Sequence, residues 1–511
     1  MSHATPAGDP RTSATVTVDP AFTIGPLDRR LFGTFVEHMG RCVYTGIYEP
    51  GHPTADEEGF RQDVLDLVRE LGPTVVRYPG GNFVSGYRWE DGVGPVAERP
   101  RRLDLAWRAV DSNEVGVNEF MSWARKAGLE PMMAVNLGTR GVQEACDLLE
   151  YANHPSGTYW SDRRIADGVK EPHAIRLWCL GNEMDGPWQI GQKTAEEYGR
   201  IAAETGKAMR LVDPDVQLVA CGSSNSAMPT FAAWEATVLE HAYPYVDMIS
   251  LHAYYEEHEG DLASFLASGV DMDRMITTVV ATADHVAAKL RSSKRVTLSF
   301  DEWNVWYQAD FAGPQAERWD GAPRLIEDTF DVADAVVVGD LLITLLRHAD
   351  RVSVACQAQL VNVIAPIRTQ PGGPAWRQTV FHPFAQTARG ANGEVLRLAT
   401  ESPTVETARY GEVPTLDATA TWDAESGTLA LFCVNRGTDA ALPVHVDLRG
   451  LEGGGAEAFL LADDDVRAVN TADEPDRVTL RPLDVTVTPG GLDLTLPPVS
   501  WAAVRLDARP L

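Results

Sequence analysis

Two periods alternate along the first three quarters of the chain. Runs that are mostly apolar, at residues 74–78, 131–136, 175–180, 216–221, 248–254, 296–300 and 352–360, predict buried strands. Between them apolar residues return every three or four positions. The stretch 60–71 carries them at 60, 64, 67, 68 and 71, and stops at Gly72-Pro73. The same period predicts helices over 118–127, 142–151, 194 to about 212, 231–241, 275–290 and 332–348. Thr194 with Glu197 three residues on is a capping box that opens one of them. With 31–39 as the first strand, eight strands alternate with helices. That predicts an α/β fold, a (β/α)8 TIM barrel. A Rossmann-type open sheet is the rival, but it would use fewer strands and a Gly-rich phosphate turn.

After about Phe384 the helical stripes vanish. Short alternating runs take over at 416–422, 428–434, 443–448, 456–461, 485–487, 492–496 and 501–506, separated by Gly- and Asp-rich turns. They predict a C-terminal all-β sandwich, jelly-roll-like. Residues 15–23 also alternate, ahead of the barrel. The expected division is therefore an N-terminal segment 1–30 whose strand joins the sandwich, a barrel over 31–384, and the sandwich over 385–511.

Barrel enzymes place their chemistry at the carboxyl ends of the strands. Six polar residues fall there: Glu37, Asn82, Glu183, Tyr254, Glu302 and Gln359, on strands one, two, four, six, seven and eight. Each alone has an ordinary reading, a salt-bridged carboxylate or a satisfied amide. Their shared end points to one site. Glu183 and Glu302 each close a buried strand, and a half-desolvated carboxylate can hold its proton to near neutral pH. Two such carboxylates suit cleavage of a glycosidic bond, with Glu183 as acid/base and Glu302 as nucleophile. Asn182 beside Glu183 can hold a sugar hydroxyl. Tyr254 can bond the nucleophile, with His252 two residues before it. Trp107 and Trp306 offer faces on which sugar rings stack.

The formal net charge of -29 over 511 residues argues against nucleic acid or an anionic membrane as partner, and leaves a neutral sugar open. Residues 1–13 are polar, without the apolar core of a secretory signal, and no apolar run is long enough to span a bilayer. Six cysteines stand singly, at 42, 146, 179, 221, 356 and 433, which reads as reduced residues of a cytoplasmic protein. No HExxH and no CxxC pair occurs, so no metal is expected, and no G-x-S-x-G elbow marks a Ser-His-Asp site.

Four stretches carry a family resemblance: Phe35-Val36-Glu37-His38-Met39-Gly40-Arg41, Arg77-Tyr78-Pro79-Gly80-Gly81-Asn82, Gly181-Asn182-Glu183-Met184-Asp185 and Asp301-Glu302-Trp303-Asn304-Val305-Trp306-Tyr307. Ala358-Gln359-Leu360-Val361-Asn362 completes them. The chain resembles an α-L-arabinofuranosidase of glycoside hydrolase family 51, over nearly the whole barrel. The resemblance implies an exo-acting, retaining hydrolase that needs no cofactor and forms a homo-oligomer, commonly a hexamer. Its substrate would be an arabinofuranose-containing oligosaccharide derived from arabinan or arabinoxylan. Retention requires carboxyl groups about 5 Å apart. Glu37, Asn82, Asn182, Tyr254 and Gln359 would hold the arabinose, and Trp107 and Trp306 would line the mouth. The same clan holds β-xylosidases and endo-glucanases, and a sugar-binding barrel without catalysis is a third reading. One departure is Gln192, where the family pattern has His; it is expected beside the site, where it would alter leaving-group preference. The loop 310–323 is expected to shape the leaving-group side.

Overall fold

Eight parallel strands close into a barrel in the order of the chain. They are β1 (Gly33–Phe35), β2 (Val75–Tyr78), β3 (Glu130–Ala134), β4 (Leu177–Leu180), β5 (Gln217–Ala220), β6 (Met248–Tyr255), β7 (Thr297–Val305) and β8 (Val352–Gln357). The computed structural model describes residues 12–311, 313, 319, 321–488 and 490–511. Most of the polar leader at 1–13, and residues 312, 314–318 and 320 of the loop expected at the leaving-group side, lie outside the described residues.

The barrel interior is filled by Phe35, Val75, Met132, Ala134, Leu177, Cys179, Val219, Met248, Val354 and Cys356. It is a packed core, so chemistry is confined to its rim. Helices cover the outside wherever the sequence has the three-to-four residue stripe. Gln62–Leu71, for example, turns Val64, Leu65, Val68 and Leu71 inward and ends on Gly72 at φ +77°. β1 and β8 are shorter than their predicted runs, whereas β7 extends past its own to Val305. β1 stops at Phe35 and β8 at Gln357, short of the predicted 39 and 360. The residues left over turn out of the ladder and carry Glu37 and Gln359 onto the rim.

Two further sheets stack beyond the barrel. One orders Ala399–Glu401, Ala14–Val18, Leu442–Leu448, Gly491–Leu496 and Val485–Thr488. The other runs Thr23–Pro26, Glu394–Leu396, Leu416–Asp423, Thr428–Asn435, Ser500–Pro510, Leu451–Leu461 and Arg481–Pro482. Ala14–Val18 lies parallel to Leu442–Leu448, and so ties the start of the chain to its end. Their facing side chains, among them Val16, Leu431, Val446 and Val504, form a second core.

The helix Val332–Arg347 joins the two parts. It is apolar all round and buried along nearly its whole length. Gly339 lets the Trp501 indole lie against its backbone; a Cβ there would come within 2.1 Å of the ring. The next residue, Asp340, accepts from Arg436 at 2.6 Å, and Asp417 accepts from the same nitrogen at 2.6 Å. All three side chains are buried. Asp417 also pairs with Arg347. Arg436→Met would leave Asp340 buried without its cation and Asp417 with Arg347 alone, and removing one partner of a buried ion network costs about 3 kcal/mol or more. A matching drop in unfolding free energy in a denaturant titration is expected; an unchanged midpoint would contradict it.

Candidate active site

Arg77 lies at the centre of the rim. It is fully buried on β2 and makes three contacts across the barrel. Nη1 donates to Glu302 Oε1 at 2.6 Å, Nη2 to Asn182 Oδ1 at 2.6 Å, and Nε lies 3.7 Å from Asp301 Oδ2. One planar guanidinium thereby fixes side chains from β7 and from the turn after β4. A charged residue inside the run Val75-Val76-Arg77-Tyr78 was the signal for it, and the sequence reading did not place it in the site.

Glu302 is aimed by a bulge. The register of β6 against β7 steps from Ser250↔Ser299 to His252↔Glu302, so β7 advances one residue more than β6. Ser299 and Asp301 keep to the interior, where their side chains are hydrogen-bonded to each other. The extra residue turns Glu302 to the mouth. Its Oε2 accepts from Tyr254 OH at 2.7 Å and lies 3.6 Å from His252 Nδ1. Burial alone would push its carboxyl up. His252, Arg77 and the Tyr254 hydroxyl outweigh that and hold it below the usual glutamate range.

Glu183 is the opposite case. It follows β4 with φ +44°, a left-handed conformation rare for a residue with a Cβ. Its Oε1 lies 2.9 Å from His252 Nδ1, and its Oε2 accepts from Trp188 Nε1 at 2.6 Å. Burial and the neighbouring Glu302 charge raise its pKa, against the pull of His252 and Trp188. Two carboxyl groups a short way apart are thus driven in opposite directions, which separates an acid from a nucleophile.

The donor atoms of Glu183, His252 and Glu302 lie within 4.8 Å of one another. Three such groups could hold a metal ion. Here Arg77 and Tyr254 already occupy the oxygens of Glu302, and a guanidinium at 2.6 Å repels a cation. The set fits proton transfer and covalent chemistry better than zinc ligation at about 2.0–2.2 Å.

Glu37 forms the opposite wall. Oε1 accepts from Phe83 N at 3.0 Å and Trp107 Nε1 at 2.9 Å, and Oε2 accepts from Gln359 Nε2 at 3.1 Å. Burial, with the Glu302 charge second, pushes its pKa to about 8. The Gly80-Gly81 turn exists to make room for this carboxylate: a Cβ on Gly81 would sit 2.5 Å from Oε2. Asn82 Oδ1 accepts from Asn182 Nδ2 at 3.4 Å. Trp107 is buried, at the turn of a hairpin between Arg102–Asp104 and Ala109–Asp111. Trp306 stands edge-on to Tyr254, centroids 5.0 Å apart.

Glu37, Asn82, Trp107, Glu183, Tyr254, Glu302, Trp306 and Gln359 all line one cavity of about 770 Å³. Asn182 and His252 are buried behind it. Trp188 and Met39 line it too, without having been singled out from the sequence. Gln192 does not line it. Its amide is spent on Asp185 O at 2.8 Å, which holds the loop after Glu183, and the residue is otherwise exposed. Gln192, expected beside the site, thus reaches it only through the loop that follows Glu183.

Losing Arg77 would raise the Glu302 pKa, because an opposite charge in contact stabilises the carboxylate. A nucleophile must be ionised, so the acidic limb of kcat/KM in Arg77→Met should move up by about one pH unit or more, and less in Arg77→Lys. An unmoved limb in both variants would contradict this.

Two family models match the chain: the α-L-arabinofuranosidase 1 domain over residues 67–268, and the α-L-arabinofuranosidase C-terminal domain over 301–500. An intracellular exo-α-(1→5)-L-arabinofuranosidase of Streptomyces lividans is 62% identical over 96% of this chain and 75% of its own. One of Halalkalibacterium halodurans is 55% identical over 97% and 99%. The solved structure of AbfB, a family 51 α-L-arabinofuranosidase from Bifidobacterium longum, superposes with a TM-score of 0.93 at 50% identity, covering 97% of this chain and 99% of that one. The two domain models together span most of the barrel and the sandwich, the relatives match nearly the whole of this chain, and the chain belongs to the α-L-arabinofuranosidases of glycoside hydrolase family 51.

Proposed function

We propose that the chain removes terminal non-reducing α-L-arabinofuranosyl residues from arabino-oligosaccharides by double displacement, with Glu302 as nucleophile and Glu183 as acid/base. The observation that carries this is the pair itself. Carboxyl oxygens within 4.8 Å of each other fall short of the roughly 6.5–9.5 Å by which inverting hydrolases admit an attacking water, and fit the roughly 5 Å spacing of retaining ones.

The proton logic follows from the contacts. Glu302, kept ionised by His252, Arg77 and Tyr254, attacks the anomeric carbon while Glu183 protonates the leaving oxygen. Esterification then removes the Glu302 charge. That charge is one of the causes holding the Glu183 pKa up, so Glu183 becomes the better base as the covalent intermediate forms. It can then activate water for the second displacement. Glu37, pushed to about 8, holds a proton at neutral pH and can donate to a sugar hydroxyl. Asn182 is oriented by Arg77, and with Asn82 and Gln359 it supplies further partners around the ring. Trp107 and Trp306 border the same space.

On this reading residues 31–384 carry the chemistry, and 1–30 with 385–511 form the sandwich unit. The relatives' names, intracellular and α-(1→5), support a cytoplasmic enzyme that trims α-(1→5)-linked oligosaccharides of arabinan origin. A hexamer, as the family resemblance suggests, would show as six chain masses in light scattering. Among the described residues no helix is long and apolar enough to cross a membrane.

The test is a panel of 4-nitrophenyl α-L-arabinofuranoside, β-D-xyloside and β-D-glucoside, with the anomer of the first-formed sugar read by NMR. Selective arabinofuranoside turnover with retention is expected. Preference for xyloside or glucoside would move the enzyme elsewhere in its clan, and no turnover at all would favour a sugar-binding barrel.

A further inference from the structure

The cavity is longer than the catalytic machinery requires. From Glu302 its lining continues past Tyr255 and Glu256 to Asp271, and ends on Arg409 and Tyr410, which belong to the sandwich part of the chain. A volume of about 770 Å³ is in the range of sites that hold several rings rather than one pentose.

Arg409 and Tyr410 sit at the tip of a two-stranded arm, Thr404–Thr407 paired antiparallel with Gly411–Pro414. The arm joins neither large sheet. A lone hairpin is marginal in water, so it needs other contacts to hold it. Its turn is braced from within, since Thr407 Oγ1 donates to Gly411 O at 2.8 Å and accepts from Tyr410 N at 3.1 Å. It is docked on the barrel, since Arg409 N donates to Ser264 Oγ at 3.1 Å. Ser264 is buried and is itself anchored at Asp261, which caps the short helix Leu262–Leu266. The arm therefore spans from one domain to the mouth of the other and places its tip there.

At the tip, the Arg409 charge lies close enough to Asp261 and Asp271 to exert a downward pull on their pKa values. Among the described residues, Arg409 makes no ion pair and no side-chain hydrogen bond; its guanidinium lies 6.0 Å from the Tyr410 centroid. Arg274 lies 5.8 Å from the same ring. The ring is half-buried, with Asp271 near it, whose carboxylate accepts from Tyr255 OH at 3.3 Å. A planar donor, an aromatic ring and a carboxylate side by side can bind vicinal hydroxyls and a sugar face. Asp271 and Glu256 on the same wall oppose an anionic ligand.

We infer that the 404–414 arm forms an outer binding site for the leaving-group part of the substrate, taking neutral sugar units beyond the one next to the cleaved bond, with Tyr410 and Arg409 as specificity-determining residues. This rests on the hydrolase reading of the site, and it deepens it by assigning the sandwich part a share in substrate choice.

The test compares kcat/KM on 4-nitrophenyl α-L-arabinofuranoside with kcat/KM on arabinobiose, arabinotriose and arabinotetraose, for wild type, Arg409→Ala, Tyr410→Ala and Tyr410→Phe. The ratio of tetraose to aryl glycoside should fall about tenfold in each alanine variant, the loss of one or two direct contacts. It should stay within about twofold of wild type in Tyr410→Phe, which keeps the ring. Ratios equal to wild type in both alanine variants would overturn the inference, and so would a uniform loss on all four substrates. Inactivity of the wild type on every arabinofuranoside would overturn the hydrolase reading and this inference together, whereas an active wild type with unaltered ratios overturns the arm's role alone.

Discussion

Glu302→Ala should lower kcat/KM on 4-nitrophenyl α-L-arabinofuranoside by on the order of 10⁴-fold or more, the usual scale for removing a covalent nucleophile. The argument is local. Glu302 Oε2 is held by Tyr254 at 2.7 Å and Oε1 by Arg77 at 2.6 Å, so the carboxylate is ionised, desolvated and fixed in direction. Glu37, on the opposite wall and with its pKa pushed to about 8, holds its proton at neutral pH and cannot replace it as a nucleophile. Alanine would also leave Arg77 buried with one partner fewer, so part of the effect could be a loss of fold. Glu302→Gln separates the two: it keeps the shape and the Tyr254 and Arg77 neighbours but cannot form a glycosyl ester. Loss of activity in Glu302→Gln with an unchanged thermal midpoint would locate the defect in chemistry. Retention of more than about a tenth of wild-type turnover in either variant would remove Glu302 from the nucleophile role.

The order of elements and the rim position of the glutamates were legible in the sequence because buried parallel strands read as mostly apolar runs and helices carry a stripe. The barrel and the strand-rich tail follow from those two signals. What was not legible has physical causes. The helix Tyr159–Ala166 has no apolar stripe; its buried residues are Ser161 and Arg164, and Arg164 docks by donating to the carbonyls of Tyr151, His154 and Pro155. The helix Phe381–Gly390 falls where the helical pattern was read as ending, with Pro383 in its first turn. The arm at 404–414 is short and polar, and nothing local announces that it reaches the barrel. In the site, polar residues read as following or closing the predicted strand runs were found, Glu302 among them although β7 in fact continues to Val305, whereas Arg77 was passed over. Its charge makes sense only once Asn182, Asp301 and Glu302, between 105 and 225 positions away, are brought around it. The bulge that turns Glu302 to the mouth is a register step between two strands, and no single strand encodes it.

Glu183→Ala should behave differently from the nucleophile variants, and the difference is the stronger evidence for the pair. Both steps lose their proton-transfer partner, so kcat on a natural oligosaccharide should fall by about 10²- to 10⁴-fold. With 4-nitrophenol as leaving group little protonation is needed, so glycosylation of Glu302 survives better than hydrolysis of the ester, and the intermediate should accumulate behind a burst of nitrophenol. Azide needs no general base. Entering where Glu183 lies within 4.8 Å of Glu302, it should restore turnover and give arabinosyl azide. Two displacements at the anomeric carbon make that product α-configured; a single direct displacement would make it β. The stereochemistry thus reads the mechanism as well as the residue. An α-azide with accelerated nitrophenol release assigns Glu183 as acid/base and Glu302 as the group that carried the sugar. A β-azide would mean that azide attacked the substrate itself, and the retaining mechanism would fall. No rescue at any azide concentration, in a variant that keeps its fold, would move the acid/base role away from Glu183 and leave His252, 2.9 Å from it, as the next group to replace.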